Sequence, residues 1–315
     1  MNLPTEPGDR NSDAERPLPT VSAAEQGEMS HAGDPLLRVE GLKVHFSKKH
    51  GPPWARREEL VRAVDGISFD VYPGETFGLV GESGCGKSTT ARGVLNLVPV
   101  TEGRVAFEGK RIERLSEPAM LPFRRRLQMI FQDPSSSLNP RMTVGSIISE
   151  PMRIFDTEEP QYRKLEVLRL MDLVGLNPRY LNRYPHQFSG GQQQRIGIAR
   201  ALACDPKLIF CDEPVSRLDV SIQAQVINLL IDLKRKLGLA YVFIAHDLSV
   251  VRHISDRIGV MYLGRLVEVA PAEKLYREPK HPYTKALLDA VPIPDPVEER
   301  RRERTIIRGE VIGGK

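Results

Sequence analysis

Three clusters of residues could do chemistry together. The first is Gly81-Glu82-Ser83-Gly84-Cys85-Gly86-Lys87-Ser88-Thr89. It fits the spacing G-x-x-x-x-G-K-[ST], with an apolar strand-like run before it and helix-like sequence after it. Glycines let successive backbone N–H groups turn toward one anion. A helix start adds unpaired donors and a positive dipole end. Lys87 would reach the β- and γ-phosphates of a nucleoside triphosphate, and the Ser88 hydroxyl would ligate Mg²⁺. The second cluster is Asp212-Glu213, directly after the apolar run Leu208-Ile209-Phe210-Cys211. A carboxylate at a strand's C-terminal end faces the crevice where open α/β sheets bind ligands. There Asp212 would hold Mg²⁺, and Glu213 would act as general base toward a water. The third is Phe188-Ser189-Gly190-Gly191-Gln192-Gln193-Gln194-Arg195. Ser189 is a good N-cap, and the two glycines bare the N–H groups of a helix start. That makes a second anion site in the same chain.

These residues need a scaffold. Leu37, Val39, Leu42, Val44 and Phe46 mostly alternate with polar residues, which predicts a strand. Lys48 to Arg57 reads as a hairpin loop, Val61 to Val71 as further strand, and Pro73-Gly74 as a turn. Thr76 to Gly81 predicts a short buried strand, and Lys87 to about Leu97 a helix. A helix is expected from just after Gly191 to Cys204. Leu208–Cys211 and Ala240–Ala245 read as buried strands. Between them Ile222, Val226, Leu229, Leu230, Leu233 and Leu237 form one apolar helical stripe, stopped by Gly238. Strands alternating with helices predict an α/β fold with a mostly parallel sheet and helices on both faces.

The organisation expected along the chain follows from composition and from where these motifs lie. Residues 1–34 carry seven acids against two bases and four prolines, which predicts a disordered tail. A nucleotide-binding domain spans 35–270. Within it, a helical subdomain at about 140–190 is interrupted by Pro140, Pro151, Pro160, Pro178 and Pro185. An extension covers 271–315 and contains the charged run Glu298 to Arg304, read as a solvated helix face. No membrane-spanning helix and no secretory signal are expected. Cys85, Cys204 and Cys211 are too sparse for a metal clip or a disulfide framework. A net charge of +4 and 6% aromatic residues give no reason to expect nucleic-acid binding.

Together, the phosphate loop, the Ser189–Gln192 motif and Asp212-Glu213, in that order, resemble an ATP-binding cassette ATPase over about residues 36–265. The resemblance implies a P-loop NTPase core with an N-terminal antiparallel β part and a helical subdomain. It implies that Phe46 stacks on adenine and that Gln132 contacts both Mg²⁺ and the water. It gives His246 the γ-phosphate. Ser189, Gly191 and Gln192 match the signature that completes the ATP site of the opposite subunit. ATP and Mg²⁺ are then the expected cofactors. A GTPase is not supported, because Thr284-Lys285-Ala286-Leu287 fails the guanine motif at its last position.

Further stretches are similar to the ATPase subunits of dipeptide and oligopeptide importers. They are Gln132-Asp133-Pro134-Ser135-Ser136-Ser137-Leu138-Asn139-Pro140-Arg141, Asp219 to Val226, and His281-Pro282-Tyr283-Thr284-Lys285-Ala286-Leu287-Leu288 with Val291-Pro292 and Pro294-Asp295-Pro296. This narrower resemblance implies peptide cargo, with nickel and glutathione as alternatives. Its implied partners are two transmembrane permeases, a second ATPase subunit (a paralogue or another copy), and an extracytoplasmic substrate-binding protein reached through the complex. It implies a place on the cytoplasmic face of the cell (inner) membrane. The segment around 140–188 would form the cleft that receives a permease helix. Two departures stand out. Arg217 occupies a position usually held by alanine, in a loop that crosses the dimer interface. There it is expected to lower hydrolysis or tune the choice of partner. The sequence also stops at Lys315 without the cysteine-containing tail of some relatives, so no metal or cluster role is expected there.

Overall fold

A computed structural model describes residues 33–50, 57–155 and 159–290. The acidic tail expected at 1–34 lies outside the described residues except for its last two positions. So do the Pro294-Asp295-Pro296 segment, the charged run at 298–304 and the end of the chain.

The first layer is an antiparallel sheet of four strands in the order β2-β1-β4-β5. Its strands are β1 (Leu37–His50), β2 (Arg57–Val71), β4 (Glu102–Phe107) and β5 (Lys110–Arg111). β1 and β2 run further than the hairpin-loop reading allowed, pairing as far as His50 opposite Arg57. The second layer has the order β10-β9-β3-β8-β7-β6. It contains β3 (Thr76–Val80), β6 (Leu127–Ile130), β7 (Leu208–Asp212), β8 (Ala240–Ala245), β9 (Arg257–Tyr262) and β10 (Arg265–Pro271). All its pairings are parallel except β9–β10 at one edge.

β3, β7 and β8 are buried at every position, as expected for parallel strands covered on both faces. Side-chain alternation divides them between two cores. Ile209, Cys211, Tyr241 and Phe243 face the helical side. Leu208, Phe210, Val242 and Ile244 face the antiparallel sheet. On that second face Phe69 of β2 stacks on Phe77 of β3, with ring centroids 4.9 Å apart.

Ten helices complete the described residues: α1 (Lys87–Val94), α2 (Glu117–Arg126), α3 (Pro134–Ser137), α4 (Val144–Ile154), α5 (Pro160–Leu173), α6 (Gly190–Leu202), α7 (Val220–Leu237), α8 (Leu248–Ile254), α9 (Ala272–Arg277) and α10 (Pro282–Asp289). α1 ends three residues before the expected Leu97. The N–H of Leu95 closes the last turn on Ala91, and Asn96 turns left-handed at φ 53°, a conformation Asn tolerates better than most residues. α6 begins at Gly190 and stops at Leu202, slightly earlier at both ends than expected. The proline-rich stretch folds as α3, α4, α5 and two 3₁₀ turns at Pro178–Tyr180 and Pro185–Gln187. Ile147, Ile148 and Met152 of α4 and Val167, Leu170 and Met171 of α5 share one core with α6. Of the apolar stripe of α7, Val226, Leu230 and Leu233 are buried, Ile222 and Leu229 half-buried and Leu237 exposed at the helix end, where Gly238 caps it at φ 65°. Among the described residues no helix is long and apolar enough to cross a membrane.

Candidate functional site

The parallel strands deliver the candidate residues to one edge of the sheet. The phosphate loop leaves the C-terminal end of β3 and opens α1. Gln132 follows β6, Asp212 ends β7, and His246 follows β8. This is the edge where open α/β sheets bind ligands.

The loop's shape requires its glycines. Gly81, Gly84 and Gly86 have φ of 153°, 83° and 110°. A Cβ on Gly81 would lie 2.2 Å from the Met261 carbonyl, and one on Gly86 would lie 2.1 Å from the Ala63 carbonyl. The loop is clasped from outside by a two-residue hairpin turn, Leu263-Gly264, between β9 and β10. Both turn residues have positive φ, 46° and 81°, the geometry that matches strand twist. The Gly264 N–H donates to the Cys85 carbonyl at 3.0 Å, and the Asp65 N–H donates to the Gly264 carbonyl at 2.8 Å. Lys87 is 4% exposed. Its Nζ donates to the carbonyls of Gly81 and Glu82, each at 2.8 Å, and approaches Cys85 Sγ at 3.8 Å. Burial raises the Cys85 thiol above its ordinary range, against the opposing pull of Lys87. Ser83 and Gly84 are exposed at the tip; Ser88 and Thr89 are half-buried.

Ser88 Oγ donates to Asp212 Oδ1 at 2.6 Å. Asp212 is buried, and desolvation raises its pKa although the Ser88 hydrogen bond and the Arg92 charge pull the other way. Glu213, the next residue, takes a left-handed φ of 45°, costing roughly 1–2 kcal/mol for a residue with a Cβ. Its N–H donates to the Ile244 carbonyl of β8 at 3.0 Å. This sharp turn at the strand's end brings the carboxylate to Gln132 and His246. Gln132 Nε2 donates to Glu213 Oε2 at 2.8 Å, and His246 Nδ1 lies 3.5 Å from the same oxygen. Ser88, Asp212, Glu213, Gln132 and His246 thus make three contacts in two adjoining groups at one edge.

Two predicted groups stand apart. The Phe46 ring is 41% exposed on β1 and makes no described contact with the loop. It sits opposite Val61, two residues from the Ala63 carbonyl that crowds Gly86. The Ser189 motif makes no described contact with Lys87 or Glu213. It opens α6 with a capping box: the Gln192 N–H donates to Ser189 Oγ at 3.4 Å, and the Ser189 N–H donates to Gln192 Oε1 at 3.1 Å. A Cβ on Gly191 would lie 2.4 Å from Ile222 Cγ2 of α7, so this helix start is seated against the segment following Asp219. Arg217 has a partner within its own chain. It forms an ion pair with Asp133 of the same chain, joining the loop after Glu213 to the loop after Gln132. Sequence reasoning quoted Asp133 and Tyr283 within the importer-like stretches but gave neither a role at the site. The hydroxyl of Tyr283 accepts the Glu82 N–H at 3.1 Å. Nothing local in the sequence signals either contact.

A parallel sheet that delivers a phosphate loop, a buried aspartate and a neighbouring glutamate to one edge defines a P-loop nucleoside triphosphatase. Comparison with known proteins narrows the class. The family described as ABC transporter matches residues 64–216, and that described as oligopeptide/dipeptide transporter, C-terminal region, matches residues 267–313. The chain is 56% identical over 271 residues to the oligopeptide transport ATP-binding protein OppF of Bacillus subtilis, covering 85% of this chain and 86% of that one. It is 54% identical to OppF of Salmonella typhimurium, covering 88% and 83%. It is 50% identical to the glutathione import ATP-binding protein GsiA of Salmonella choleraesuis, covering 89% of this chain and 44% of that longer protein. Among solved structures, cbiO1 of Clostridium perfringens, part of the ABC transporter complex cbiONQ, superposes with a TM-score of 0.66 at 25% identity, covering 78% and 92%. The ATP-binding cassette MJ0796, in a dimeric post-hydrolysis state bound to ADP and Pi, does so with a TM-score of 0.65 at 28% identity, covering 75% and 98%. The chain belongs to the ABC transporter family, as one of its ATP-binding, ATP-hydrolysing subunits. Membership of that family implies dimerisation and membrane permease partners.

Proposed function

We propose that this chain powers an importer of oligopeptides, as one half of a two-subunit nucleotide sandwich. Lys87 exchanges the carbonyls of Gly81 and Glu82 for the β- and γ-phosphates of ATP, while the loop N–H groups wrap the anion. Ser88 and Asp212, with Gln132, are the residues that would hold Mg²⁺. A hydroxyl beside a buried carboxylate is an oxygen donor set that suits a hard cation. That ion, when bound, neutralises charge on the β- and γ-phosphate oxygens. Glu213 takes the proton of the attacking water, Gln132 orients that water, and His246 holds the γ-phosphate. Phe46 offers its exposed ring to adenine. Ser189, Gly191 and Gln192 act on the ATP of the opposite subunit, a paralogue or a second copy. The exposed, capped start of α6, which makes no described contact with Lys87 or Glu213, supports that arrangement.

An apolar groove of about 390 Å³ between α2, β6 and α4 is lined by Leu97, Leu121, Phe131, Ile154 and Phe155. Four of these are exposed, which suits a permease segment docked at the cytoplasmic face of the inner membrane. Phe131 directly precedes Gln132, so a segment seated there is one residue from the group bonded to Glu213. Closure of the sandwich would move the two permeases, and an extracytoplasmic binding protein would deliver the cargo to them.

The single observation that carries this reading is the joint placement of Lys87, Asp212, Glu213 and His246 at the C-terminal ends of neighbouring parallel strands. The test is reconstitution of the chain with its second ATPase subunit, permeases and binding protein in vesicles. Hydrolysis stimulated by oligopeptide-loaded binding protein supports the cargo. The 50% identity to a glutathione import protein makes glutathione the second reading; stimulation by glutathione alone replaces the first.

A further inference from the structure

The Gly81–Glu82 peptide unit is held at both of its polar ends. Its carbonyl accepts from Lys87 Nζ at 2.8 Å, and its N–H donates to Tyr283 Oη at 3.1 Å. The two partners differ in what nucleotide asks of them. Lys87 must leave the carbonyl to reach phosphate; Tyr283 has no such demand. We propose that Tyr283 is a positioning residue of the phosphate loop, holding the Gly81–Glu82 peptide in orientation when Lys87 transfers to ATP. The inference rests on reading this loop as the ATP site.

The segment that carries Tyr283 is built to hold still. Both carboxylate oxygens of buried Glu268, on β10, accept backbone N–H groups: Lys280 at 2.9 Å and His281 at 3.0 Å. The His281 imidazole Nδ1 accepts the Tyr283 N–H at 3.1 Å and so caps α10, with Pro282 at its first position. The Tyr283 ring is 5% exposed and lies 4.4 Å from the Tyr262 ring, beside the Leu263-Gly264 turn that clasps Cys85. The loop is therefore held by two elements, the β9–β10 turn and α10. A peptide unit free to flip would spread the loop's donors over several orientations, and nucleotide would have to reorder them on binding. On this proposal the contact persists when nucleotide binds, so its loss loosens the free loop and falls on affinity rather than on the chemical step.

The test compares Tyr283→Phe with Tyr276→Phe in the full chain. Phenylalanine at 283 keeps the ring against Tyr262 and removes only the hydroxyl. Tyr276 supplies a control, since its hydroxyl donates to the Leu248 carbonyl, away from the loop. Titration with a fluorescent ATP analogue and Mg²⁺ should show Tyr283→Phe weakening binding by about fivefold, the scale of one neutral hydrogen bond. In the assembled ATPase the KM for ATP should rise by the same factor, with kcat within about twofold. Tyr276→Phe should lower Tm without changing affinity. Parent-like affinity in Tyr283→Phe, or an equal affinity loss in Tyr276→Phe, overturns the proposal. Lys87→Ala separates the two levels: if it too leaves binding intact, the reading of the loop as the ATP site fails with it.

Discussion

Gln132 Nε2 donates to Glu213 Oε2 at 2.8 Å, and the same oxygen lies 3.5 Å from His246 Nδ1. Two groups, from the ends of β6 and β8, thus converge on one carboxylate oxygen carried at the end of β7, the parallel strand between them. In a base, that oxygen is where the proton of the attacking water would go. Glu213→Gln keeps the shape and a hydrogen-bond acceptor for Gln132 but cannot take the proton. Phosphate release should fall by about 10²–10⁴-fold, while ATP-dependent pairing with the second subunit persists in size-exclusion chromatography. A variant hydrolysing at the parent rate rules out Glu213 as the base.

Lys87 is buried, and two carbonyls satisfy its ammonium in the absence of phosphate. Alanine there removes a charge-assisted contact to the phosphates, worth about 1.5–3 kcal/mol. Binding of Mg-ATP should weaken by about 10- to 100-fold, read by equilibrium titration, and turnover should be lost.

Arg217 pairs with Asp133, and this contact joins the two loops that carry Glu213 and Gln132. The guanidinium side chain is 60% exposed, so the pair adds little to stability. Its effect is expected on turnover. Arg217→Ala should slow hydrolysis by about twofold to tenfold and leave Tm unchanged. Asparagine is the right partner change at 133, because Asp133 also caps α3 by accepting the Ser135 N–H at 2.9 Å and Asn can do the same. If the two loops are coupled through this pair, the rates of Arg217→Ala, Asp133→Asn and the double variant will not be additive. Additive rates deny the coupling.

Asp212 is held above the ordinary aspartate value of 3.8, first because burial disfavours its charge. The folded chain therefore binds this proton more tightly than the unfolded chain does. The sign follows from linkage: stability falls as the pH rises from the ordinary value through the raised one, and at neutral pH the charge is a net cost. Asp212→Asn removes the charge and keeps an acceptor for Ser88. The nucleotide-free variant should melt at a higher temperature than the parent at pH 7, and its advantage should vanish in acid. Mg²⁺-dependent hydrolysis should be lost. An unchanged or lower Tm at pH 7 contradicts the desolvation account.

The candidate residues were legible because their chemistry is local. A phosphate loop, a capped glycine pair and an acid after an apolar run each need only a few neighbours, and the strands that carry them read as unbroken apolar runs. What stayed hidden depends on distant partners. β9 opens with Arg257, a charge tolerated because Glu75 lies 3.1 Å away across the fold. The β4–β5 hairpin turns on Glu108-Gly109 at φ 49° and 73°, and glutamate is an unusual choice for that conformation. α2 contains Pro122, which masks a helix to any local reading. The pairing of Arg217 with Asp133 was hidden too: that acid lies in the loop after β6, which the parallel β6–β7 pairing places alongside.

β3 takes Tyr241–Ala245 on one side and Arg257–Val260 on the other, and the loop that follows is bonded to a tyrosine 201 positions further on. A ribosome synthesises β3 long before any of these neighbours. Until then the first apolar strand of the central sheet has no permanent edges, and the nascent chain lacks the walls that shape its glycine-rich turn. Such distant pairing slows folding and prolongs exposure to aggregation. The nucleotide pocket is therefore among the last features to form during translation, although half of its motif is among the first to be made.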